Sequence, residues 1–215
     1  MIIKAKPAPL FFLKIGGFLL EKLLRRRFNK LVIDPVDIRP GHSYVVMCNH
    51  FSFWDGFLAF YVSYKLMLEN GMMKRVYIMS LKKQMEMKWW LKYCGSFSVE
   101  PGKMSIKESF EYAAEMLSQP GNVLLFFPQG ILESMHVRDI ELKEGIAEIV
   151  PRITGDCQLI WTSNIIEYFE SIKPSVYFNM LDCGTNHNFD FEELKRTVNR
   201  HHNKAMQQNI RSVKH

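Results

Sequence analysis

The sequence has little cysteine and lacks the cysteine spacing of a zinc site. Its 215 residues include four cysteines, and no two of them form a C-x-x-C pair. The four are Cys48, Cys94, Cys157 and Cys183. Structural zinc is usually held by closely spaced cysteine and histidine ligands, so no metal site is expected. The thiols are predicted to be free and buried, as in proteins of a reducing cytosol.

Long hydrophobic runs are also missing. No stretch reaches the roughly 20 uninterrupted apolar residues that span a bilayer as a helix. The start of the chain lacks the pattern of a cleaved signal peptide, because Lys4 and Lys6 stand among prolines and no small-x-small site follows the apolar run. We therefore expect a protein that does not cross the membrane.

Two function classes are disfavoured by motifs that the sequence does not contain. There is no Gly-x-Ser-x-Gly elbow of the kind that an α/β serine hydrolase uses. No nucleic-acid recognition motif is present either, and the basic residues stand beside apolar ones, so nucleic acid is not expected as a partner. The net charge of +6 still indicates an anionic partner, which leaves a membrane surface or an acidic carrier protein.

An apolar but basic segment occupies residues 10–32. It carries too much charge to span a bilayer and too much apolar surface for a solvated helix, so an interfacial helix is predicted. In that interpretation Arg25–Arg27 meet anionic headgroups while four apolar side chains enter the acyl boundary. The four are Phe11, Phe12, Phe18 and Leu19. The alternative is a helix that packs on the domain core with its arginines solvated. Gly16–Gly17 is expected to weaken or bend the helix.

Strand and helix patterns alternate after this segment. Strands are predicted at 31–33, 44–47, 76–79, 97–99, 123–127, 149–153, 158–161 and 176–178. Helices are predicted at 57–68, 81–93, 105–117, 142–149 and from residue 190 onward. This alternation predicts an α/β fold with a mixed, largely parallel sheet flanked by helices and an N-terminal interfacial helical segment. We assign residues 1–32 to that segment and residues 33–215 to a single α/β domain.

Three local patterns refine the predicted helices. Ser105 followed by Glu108 predicts a capping box at the start of one helix. The pair Trp89–Trp90 stands among lysines and fits either the core or a bilayer interface. The last helix is expected to end in a basic tail with His201, His202, Lys204, Arg211 and Lys214, in which the paired histidines are predicted to form a solvated face.

One histidine and one aspartate stand at a predicted strand-to-helix corner. The strand at 44–47 leads into Asn49-His50, and a helix is predicted to start near Ser52 or Asp55. Across such a corner the Asp55 carboxylate can accept the Nδ1–H of His50, which leaves Nε2 as a general base. This is the orienting half of a triad without a protein nucleophile, so a substrate hydroxyl or amine would attack. The alternative is that Asp55 or Ser52 is only an N-cap and His50 only a turn residue.

A second candidate for the site follows the predicted strand at 123–127. The turn Pro128-Gln129-Gly130 comes directly after that strand. In a parallel sheet the carboxyl ends of the strands share one edge, so this turn and His50 are expected to line one crevice. A rigid turn of this kind can present backbone N–H groups to an oxyanion. An ordinary loop is the alternative interpretation.

Together these blocks resemble those of a known enzyme family. Residues 49–56, with the pattern Asn-His-x4-Asp, resemble the first block of the glycerolipid (lysophosphatidic acid) acyltransferase family. Residues 126–130 resemble its Phe-Pro-Glu-Gly block, residues 142–145 its Phe-Lys-x-Gly element, and residues 149–151 its proline-bearing fourth block. The resemblance covers roughly residues 20–180, and the blocks occur in the family's order.

The resemblance implies an O-acyltransferase of lipid biosynthesis and phospholipid metabolism, peripheral on the cytoplasmic face of the membrane. His50 would take the proton of a lysolipid hydroxyl, Asp55 would orient His50, and the hydroxyl would attack the acyl thioester of coenzyme A or acyl carrier protein. Backbone donors near His50 or the 128–130 turn would stabilise the oxyanion. The implied substrate-binding residues are Asn49, Lys103, Pro128, Gln129, Gly130 and Lys143. No metal or bound cofactor is required.

The sequence departs from the family pattern in two blocks. Gln129 replaces the glutamate of the third block, and Ile131 and Leu132 stand where Thr-Arg-Ser is usual. Pro101 stands where the second block has an arginine, and Lys103 is the nearest cation. Because lysine does not fork a phosphate as arginine does, the pattern favours a lysolipid acceptor without a phosphomonoester. The alternative is a catalytically silent lipid-binding protein on the same fold, which the altered third block favours and the intact histidine–aspartate pair opposes.

Overall fold

Within residues 1–169 and 171–208, which the computed structural model describes, seven strands form one sheet with helices on both faces. The strands are β1 (Leu31–Ile33), β2 (Ser43–Cys48), β3 (Arg75–Leu81), β4 (Ser96–Val99), β5 (Asn122–Phe126), β6 (Cys157–Glu167) and β7 (Ser175–Thr185). The α-helices are α1 (Leu10–Arg27), α2 (Asp55–Ser63), α3 (Lys82–Met87), α4 (Ser105–Leu117), α5 (Gly145–Ile149) and α6 (Phe191–Gln208). A π-helical turn, Tyr64–Leu68, continues α2, and 3-10 turns lie at Trp89–Cys94, Val150–Arg152 and Asn186–Asn188.

The sheet is largely parallel, with the strand order β1-β7-β6-β2-β5-β3-β4. Neighbouring strands are parallel except for β6 and β7, which form an antiparallel pair. The predicted α/β fold with a mixed, largely parallel sheet is therefore confirmed. Because β2, β3, β4, β5 and β6 point the same way, the loops that follow them lie along one edge, which we name the carboxyl edge.

Alternate residues of β2 face opposite sides of the sheet and pack in separate cores. Tyr44 and Val46 pack with α1 and α2, while Val45 and Met47 pack with α4, α5 and α6. All four side chains are fully buried. A strand buried on both faces has a continuous apolar run, which explains why the sequence predicts β2 and β5 so directly.

Helix α1 packs one face on the domain and leaves the other exposed. Its buried positions are Leu13, Gly17, Leu20 and Leu24. The side chains predicted to enter a membrane are between 50% and 67% exposed, and they are Phe11, Phe12, Phe18 and Leu19. The core-packing interpretation thus holds for one face of α1. Membrane contact by the other face stays a prediction, as does the division into residues 1–32 and 33–215.

The two glycines of α1 lie within one continuous helix. A Cβ at Gly17 would lie 2.1 Å from Cδ2 of the Tyr64 ring, whereas a Cβ at Gly16 would meet nothing within 4 Å. Gly17 therefore permits close packing of α1 on the π-helical turn, and this packing was not foreseen from the sequence. Among the described residues, no helix combines the length and the apolar character that crossing a membrane requires.

Two predicted elements differ from the structure. The helix predicted at 81–93 divides into α3 and the 3-10 turn Trp89–Cys94, because Lys88 leaves the helical region with φ −123° and ψ 68°. The strand predicted at 149–153 is instead a 3-10 turn that follows α5 directly, with Pro151 inside it. A short apolar run does not distinguish a strand from a buried helical turn, and the proline favours the turn because it cannot donate to a sheet.

The capping box predicted for α4 does not form. Ser105 Oγ donates to Oε2 of Glu100 at 3.3 Å, and the Glu108 carboxylate lies 3.4 Å from the N-terminal ammonium group of Met1. The start of α4 carries no side-chain cap. The prediction is wrong because both side chains have partners outside the four-residue pattern: Glu100, five positions before Ser105, and the chain terminus, which is far from Glu108 in the sequence.

The paired histidines of α6 face the domain rather than solvent. His202 is fully buried, with Nδ1 3.0 Å from Ser163 Oγ and Nε2 3.0 Å from the carbonyl oxygen of Val137. His201 contacts a carbonyl oxygen of β7 at 2.9 Å. The predicted solvated face is therefore wrong, because helical spacing puts His202 on the buried stripe of α6. Of the predicted basic tail, Arg211 and Lys214 lie outside the described residues.

The four thiols are free, and they differ in exposure. Cys48 and Cys157 are buried, Cys183 is half-buried, and Cys94 is exposed. The prediction of buried thiols is therefore wrong for Cys94, which ends an exposed 3-10 turn. The same turn carries the pair Trp89–Trp90, whose side chains are 67% and 49% exposed and thus lie outside the core.

Candidate active site

The structure brings His50 and Asp55 into direct contact at the carboxyl edge. Strand β2 ends at Cys48 and α2 begins at Asp55, so both side chains belong to the connection between them. His50 Nδ1 lies 2.8 Å from Asp55 Oδ2. The Asp55 side chain is fully buried, and the His50 side chain is 27% exposed. The contact expected from the His-x4-Asp spacing is present.

The Asp55 carboxylate also shapes the loop that carries His50. Oδ2 accepts the backbone N–H groups of Phe51 at 2.6 Å and Ser52 at 2.8 Å, and Oδ1 accepts the Ser52 hydroxyl at 2.8 Å. These donors precede the helix, and the start of α2 has no side-chain cap. Asp55 is therefore more than an N-cap, because it holds the loop and the imidazole together.

The contact with Asp55 determines which nitrogen of His50 carries the proton. A carboxylate can only accept, so the neutral imidazole has its proton on Nδ1 and its lone pair on Nε2. The ring of Phe127, just after β5, packs against the imidazole with the two centroids 4.7 Å apart. Such a histidine can remove a proton from a hydroxyl that approaches Nε2.

A second network holds the backbone of His50. Gln129, which is 2% exposed, accepts the His50 N–H through Oε1 at 2.6 Å, although the two residues are 79 positions apart. Nε2 of Gln129 donates to the carboxylate of Glu133. The Glu133 N–H in turn donates to the His50 carbonyl oxygen at 2.9 Å. Sequence analysis missed Glu133, because a carboxylate in an irregular loop has no periodicity to mark it.

Asn49 joins the end of β2 to β6. Its Nδ2 donates to the carbonyl oxygen of Asn164 at 3.0 Å, and its Oδ1 accepts the Asn164 N–H at 2.8 Å. Both amide atoms of this buried side chain thus have partners within the protein. The structure shows Asn49 supporting the strand end next to His50, and its implied role in substrate binding stays a prediction.

The turn after β5 and Lys143 form one cluster. Gly130 has φ +70°, in the region that favours glycine. The Lys143 N–H donates to the Pro128 carbonyl oxygen at 2.8 Å. The Lys143 side chain passes near Gly130, where an added Cβ would lie 3.7 Å from Lys143 Cγ, and its Nζ pairs with Glu141 at 2.7 Å. The structure therefore brings the implied binding residues of these two blocks together beside the loop that carries His50.

Comparison with known proteins identifies the family. A model of the acyltransferase family matches residues 31–160, which is more than half of the chain. The chain belongs to the acyltransferase family. The crystal structure of the 1-acyl-sn-glycerophosphate (LPA) acyltransferase PlsC from Thermotoga maritima is similar, with a TM-score of 0.59 and 14% sequence identity over 94% of this chain and 81% of that chain. At this identity the similarity shows the shared fold. No curated protein sequence matches the chain.

The family resemblance inferred from the sequence blocks, and the prediction of an O-acyltransferase, are thus confirmed.

The third block of this acyltransferase has Gln129 where the family pattern has a glutamate. Glu133 nevertheless supplies a carboxylate to the hydrogen-bond network that Gln129 forms with His50. The altered block therefore still holds His50, which weakens the case for a silent protein.

The backbone N–H groups around His50 are already engaged in this acyltransferase. The His50 N–H donates to Gln129, those of Phe51 and Ser52 donate to Asp55, and that of Gly130 donates within its own turn. These four amides, which were candidates for oxyanion donors, instead hold the loops of the site. Among the described residues, no group of three or more His, Cys, Asp or Glu side chains could hold a metal ion.

Lys103 is not brought beside His50. It is exposed between β4 and α4, on the carboxyl edge but three strands from β2. At about 4.8 Å per strand this is roughly 14 Å across the sheet. Lys82, which follows β3, lies one strand nearer, and its Nζ is 3.3 Å from the Glu100 carboxylate. A phosphate bound at this part of the edge would meet a paired lysine rather than an arginine fork.

Proposed function

We propose that this acyltransferase moves a fatty acyl group from an acyl thioester to the hydroxyl of a lysolipid. The observation that carries the proposal is the contact between His50 Nδ1 and the buried Asp55 carboxylate, which leaves Nε2 free to act as a base. Family membership supplies the reaction class. The donor is coenzyme A or acyl carrier protein carrying the acyl chain as a thioester.

The proposed reaction uses no protein nucleophile. Nε2 of His50 takes the proton of the acceptor hydroxyl as its oxygen attacks the thioester carbonyl carbon. The buried Asp55 carboxylate stabilises the imidazolium that forms and keeps the ring in place. Collapse of the tetrahedral intermediate breaks the carbon–sulfur bond and forms the ester, and Nε2–H returns the proton to the departing thiolate. The step is complete without a bound cofactor.

We propose a lysolipid acceptor without a phosphomonoester. Pro101 and Leu132 stand in regions where the family pattern has phosphate-binding arginines. The cations nearest Pro101 are Lys82 and Lys103, which follow β3 and β4 at the carboxyl edge, and Lys82 is paired with Glu100. These residues offer no bidentate contact of the kind that an arginine makes with phosphate.

The proposed location is the cytoplasmic face of a membrane, as a peripheral protein. The exposed apolar side chains of α1 and the basic turn at its end support this location. A membrane-bound enzyme meets a lysolipid where that lipid is concentrated, so the location and the acceptor support each other.

The test is thioester consumption by the purified protein with separate lysolipids. His50→Ala should lower the rate by about 10²–10⁴-fold, because it removes the general base. His136→Ala is the matched control, because His136 is exposed on the loop between β5 and α5. The rate of this variant should equal that of wild type. Product mass identifies the acceptor.

Two outcomes would contradict the proposal. Faster acylation of lysophosphatidic acid than of every phosphate-free lysolipid would refute the choice of acceptor. If wild type consumes neither acyl-coenzyme A nor acyl-carrier donor yet binds lipid vesicles, the second candidate, a silent lipid-binding protein, would replace the enzyme.

A further inference from the structure

The connection between β5 and α5 has no regular structure, yet it contacts the backbone of His50 on both sides. Residues 127–144 include no helix or strand. Near the start of this stretch, Gln129 accepts the His50 N–H at 2.6 Å, and the Glu133 N–H donates to the His50 carbonyl oxygen at 2.9 Å. We call residues 128–143 the site loop. Because its first part holds the backbone of His50, contacts that order the rest of the loop also affect that residue.

The far end of the site loop returns to its start. The Lys143 N–H donates to the Pro128 carbonyl oxygen at 2.8 Å. Between the two ends the chain turns at Ser134–Val137, where the Val137 N–H donates to the Ser134 carbonyl oxygen at 3.1 Å. This turn directly follows Glu133 and leads to the middle of the loop. The middle therefore lies only a few residues from the contact with His50.

Asn199 of α6 binds both backbone polar groups of one residue in the site loop. Its Oδ1 accepts the Ile140 N–H at 2.6 Å, and its Nδ2 donates to the Ile140 carbonyl oxygen at 3.1 Å. A side-chain amide thus gives Ile140 the pair of hydrogen bonds that a neighbouring strand would otherwise supply. The Ile140 side chain is buried in the core as well. Asn199 therefore orders a part of the chain that has no regular structure of its own.

Two further side chains of α6 contact the same part of the site loop. Nε2 of His202 lies 3.0 Å from the Val137 carbonyl oxygen, and Nδ2 of Asn203 donates to the Arg138 carbonyl oxygen at 3.1 Å. Spacings of three and four residues put Asn199, His202 and Asn203 on one face of the helix. We call these three residues the polar strap. Each of them contacts backbone atoms of the loop.

Helix α6 is itself fixed to the sheet. Nδ1 of His202 lies 3.0 Å from Ser163 Oγ on β6, and Nε2 of His201 lies 2.9 Å from the Asn179 carbonyl oxygen on β7. Strand β6 pairs directly with β2, the strand that leads to His50. The polar strap therefore joins the site loop to the centre of the sheet.

We infer that the polar strap positions His50, and that Asn199 acts on the reaction through the site loop. Without the strap, the middle of the loop keeps few backbone hydrogen bonds, and segments of that kind open locally at little cost in free energy. Opening would move Glu133 away from the His50 carbonyl oxygen and Gln129 away from the His50 N–H. The imidazole would then lose its fixed position relative to the acceptor hydroxyl. The effect on rate rests on the proposed function, in which His50 is the base.

Two variants of the polar strap and two controls test the inference. Asn199→Ala removes both contacts of that side chain with the loop, and alanine suits the interior of a helix. Asn203→Ala removes one contact and should have a smaller effect in the same direction. Gln207→Ala is the matched control, because it removes an exposed amide from the same helix. Val123→Ala is the control for a loss of stability alone, because Val123 is fully buried at the start of β5, at the edge of the sheet opposite the site loop.

Amide hydrogen exchange of the full chain, followed by NMR, measures the order of the loop without any substrate. In Asn199→Ala, exchange at Glu133 and His50 should become on the order of 10-fold faster relative to the core strands, because two hydrogen bonds are lost. Val123→Ala should instead speed exchange across the sheet, and Gln207→Ala should leave it unchanged. Faster exchange in the middle of the loop with unchanged exchange at His50 would overturn the inference, since the loop would then open without releasing that residue.

Thioester consumption, with a saturating amount of the lysolipid that wild type acylates, measures the effect on the reaction. Asn199→Ala should lower kcat by about 10–10²-fold with little change in KM, because a displaced base impairs the chemical step. Gln207→Ala and Val123→Ala should keep the wild-type kcat at a temperature where circular dichroism shows every variant to be folded. A wild-type kcat in Asn199→Ala, or an equal loss in Val123→Ala, would overturn the inference, because the strap would then serve stability alone.

A double variant, Asn199→Ala with Glu133→Ala, tests whether the two residues act along one path. Asn199 bonds to Ile140, whereas Glu133 bonds to Gln129 and His50, so independent effects on kcat would multiply. If the strap acts through Glu133, the double variant should lose less than the product of the two single losses. A loss equal to the full product would overturn the inference.

The exchange measurement separates this inference from the proposed function, because it needs no reaction. If wild type acylates no lysolipid, the proposed function fails, and faster exchange at His50 in Asn199→Ala would still sustain the positioning of that residue by the strap. If wild type acylates a lysolipid and Asn199→Ala matches it in both exchange and rate, the enzyme stands and the inference is overturned.

Discussion

The hydrogen-bond network of His50, Gln129 and Glu133 predicts the effect of exchanging the amide at position 129 with the carboxylate at position 133. Gln129→Glu replaces the amide donor with a second carboxylate against Glu133, at a position only 2% exposed. Two carboxylates in hydrogen-bond contact cannot both stay ionised, so one must take up a proton. Raising a glutamate pKa from about 4.3 to 7 costs about 4 kcal/mol at 1.36 kcal/mol per pKa unit. At pH 7 the variant should lose up to this free energy of unfolding.

The double variant, Gln129→Glu with Glu133→Gln, restores one carboxylate and one amide in reversed order. The carboxylate at position 129 still accepts the His50 N–H, and the amide at position 133 donates to it. The free energy of unfolding should return to within about 1 kcal/mol of wild type, the net value of one hydrogen bond. The double-mutant cycle should then show a coupling of about 3 kcal/mol.

Activity should follow the same pattern, because the network positions the backbone of His50. A displacement of about 1 Å in a reacting group costs on the order of 10²-fold in rate, and this is the loss in kcat expected for Gln129→Glu at pH 7. Relative to wild type, that variant should recover as the pH falls, since a protonated carboxyl group can donate as the amide does. The double variant should keep most of the wild-type kcat.

The assays are urea unfolding and thioester consumption for wild type, both single variants and the double variant. A double variant as unstable and as slow as Gln129→Glu would refute the reasoning, because the two side chains would then not act as a pair. An unchanged kcat in Gln129→Glu would show that the network does not position His50.

Two further predictions concern stability, both measured by urea unfolding. Burial lowers the pKa of His202 below its ordinary value of 6.5, so its contribution to stability is present above pH 6.5 and is lost as the pH falls, because the unfolded chain then binds the extra proton. His202→Gln should flatten this loss and the exposed-site control His136→Gln should not; equal slopes in the two variants would contradict the assignment. Gly17→Ala should cost about 1–3 kcal/mol, because its Cβ meets the Tyr64 ring, while Gly16→Ala should gain up to about 1 kcal/mol of helix propensity. Equal effects at the two glycines would show that close packing is not the role of Gly17.

The sequence predicts the strands of the sheet centre and the His50–Asp55 contact for related reasons. Strands β2 and β5 are buried on both faces, so their apolar runs stand out. His50 and Asp55 are five positions apart at the ends of one short loop, so their side chains stay within reach of each other. Where a single local segment contains all the partners, spacing is enough to predict the contact.

Other features depend on partners that are distant in the sequence. Glu133 reaches His50 only because β2 and β5 are neighbours in the sheet. Glu108 completes a local capping pattern with Ser105, yet its carboxylate contacts the ammonium group of the chain terminus. The residues next to His202 in the sequence do not indicate the hydroxyl and carbonyl groups that contact its ring in the fold. In each case the partner lies far along the chain.

The sequence by itself determined the α/β class and the His50–Asp55 pair, since periodicity and short-range spacing follow from backbone geometry alone. Its sequence blocks also carried the resemblance to the acyltransferase family. Only the tertiary structure decided that Gln129 and Glu133 form a hydrogen-bond network with the backbone of His50. It also decided that Lys103 lies three strands away from His50 in the sheet. It also decided that the rings of Phe28, Trp54, Phe57 and Phe53 contact one another in turn, from the end of α1 to the loop that carries His50. The physical reason is strand order: which carboxyl ends become neighbours depends on how the whole chain packs its apolar surface, and no local run of residues contains that information.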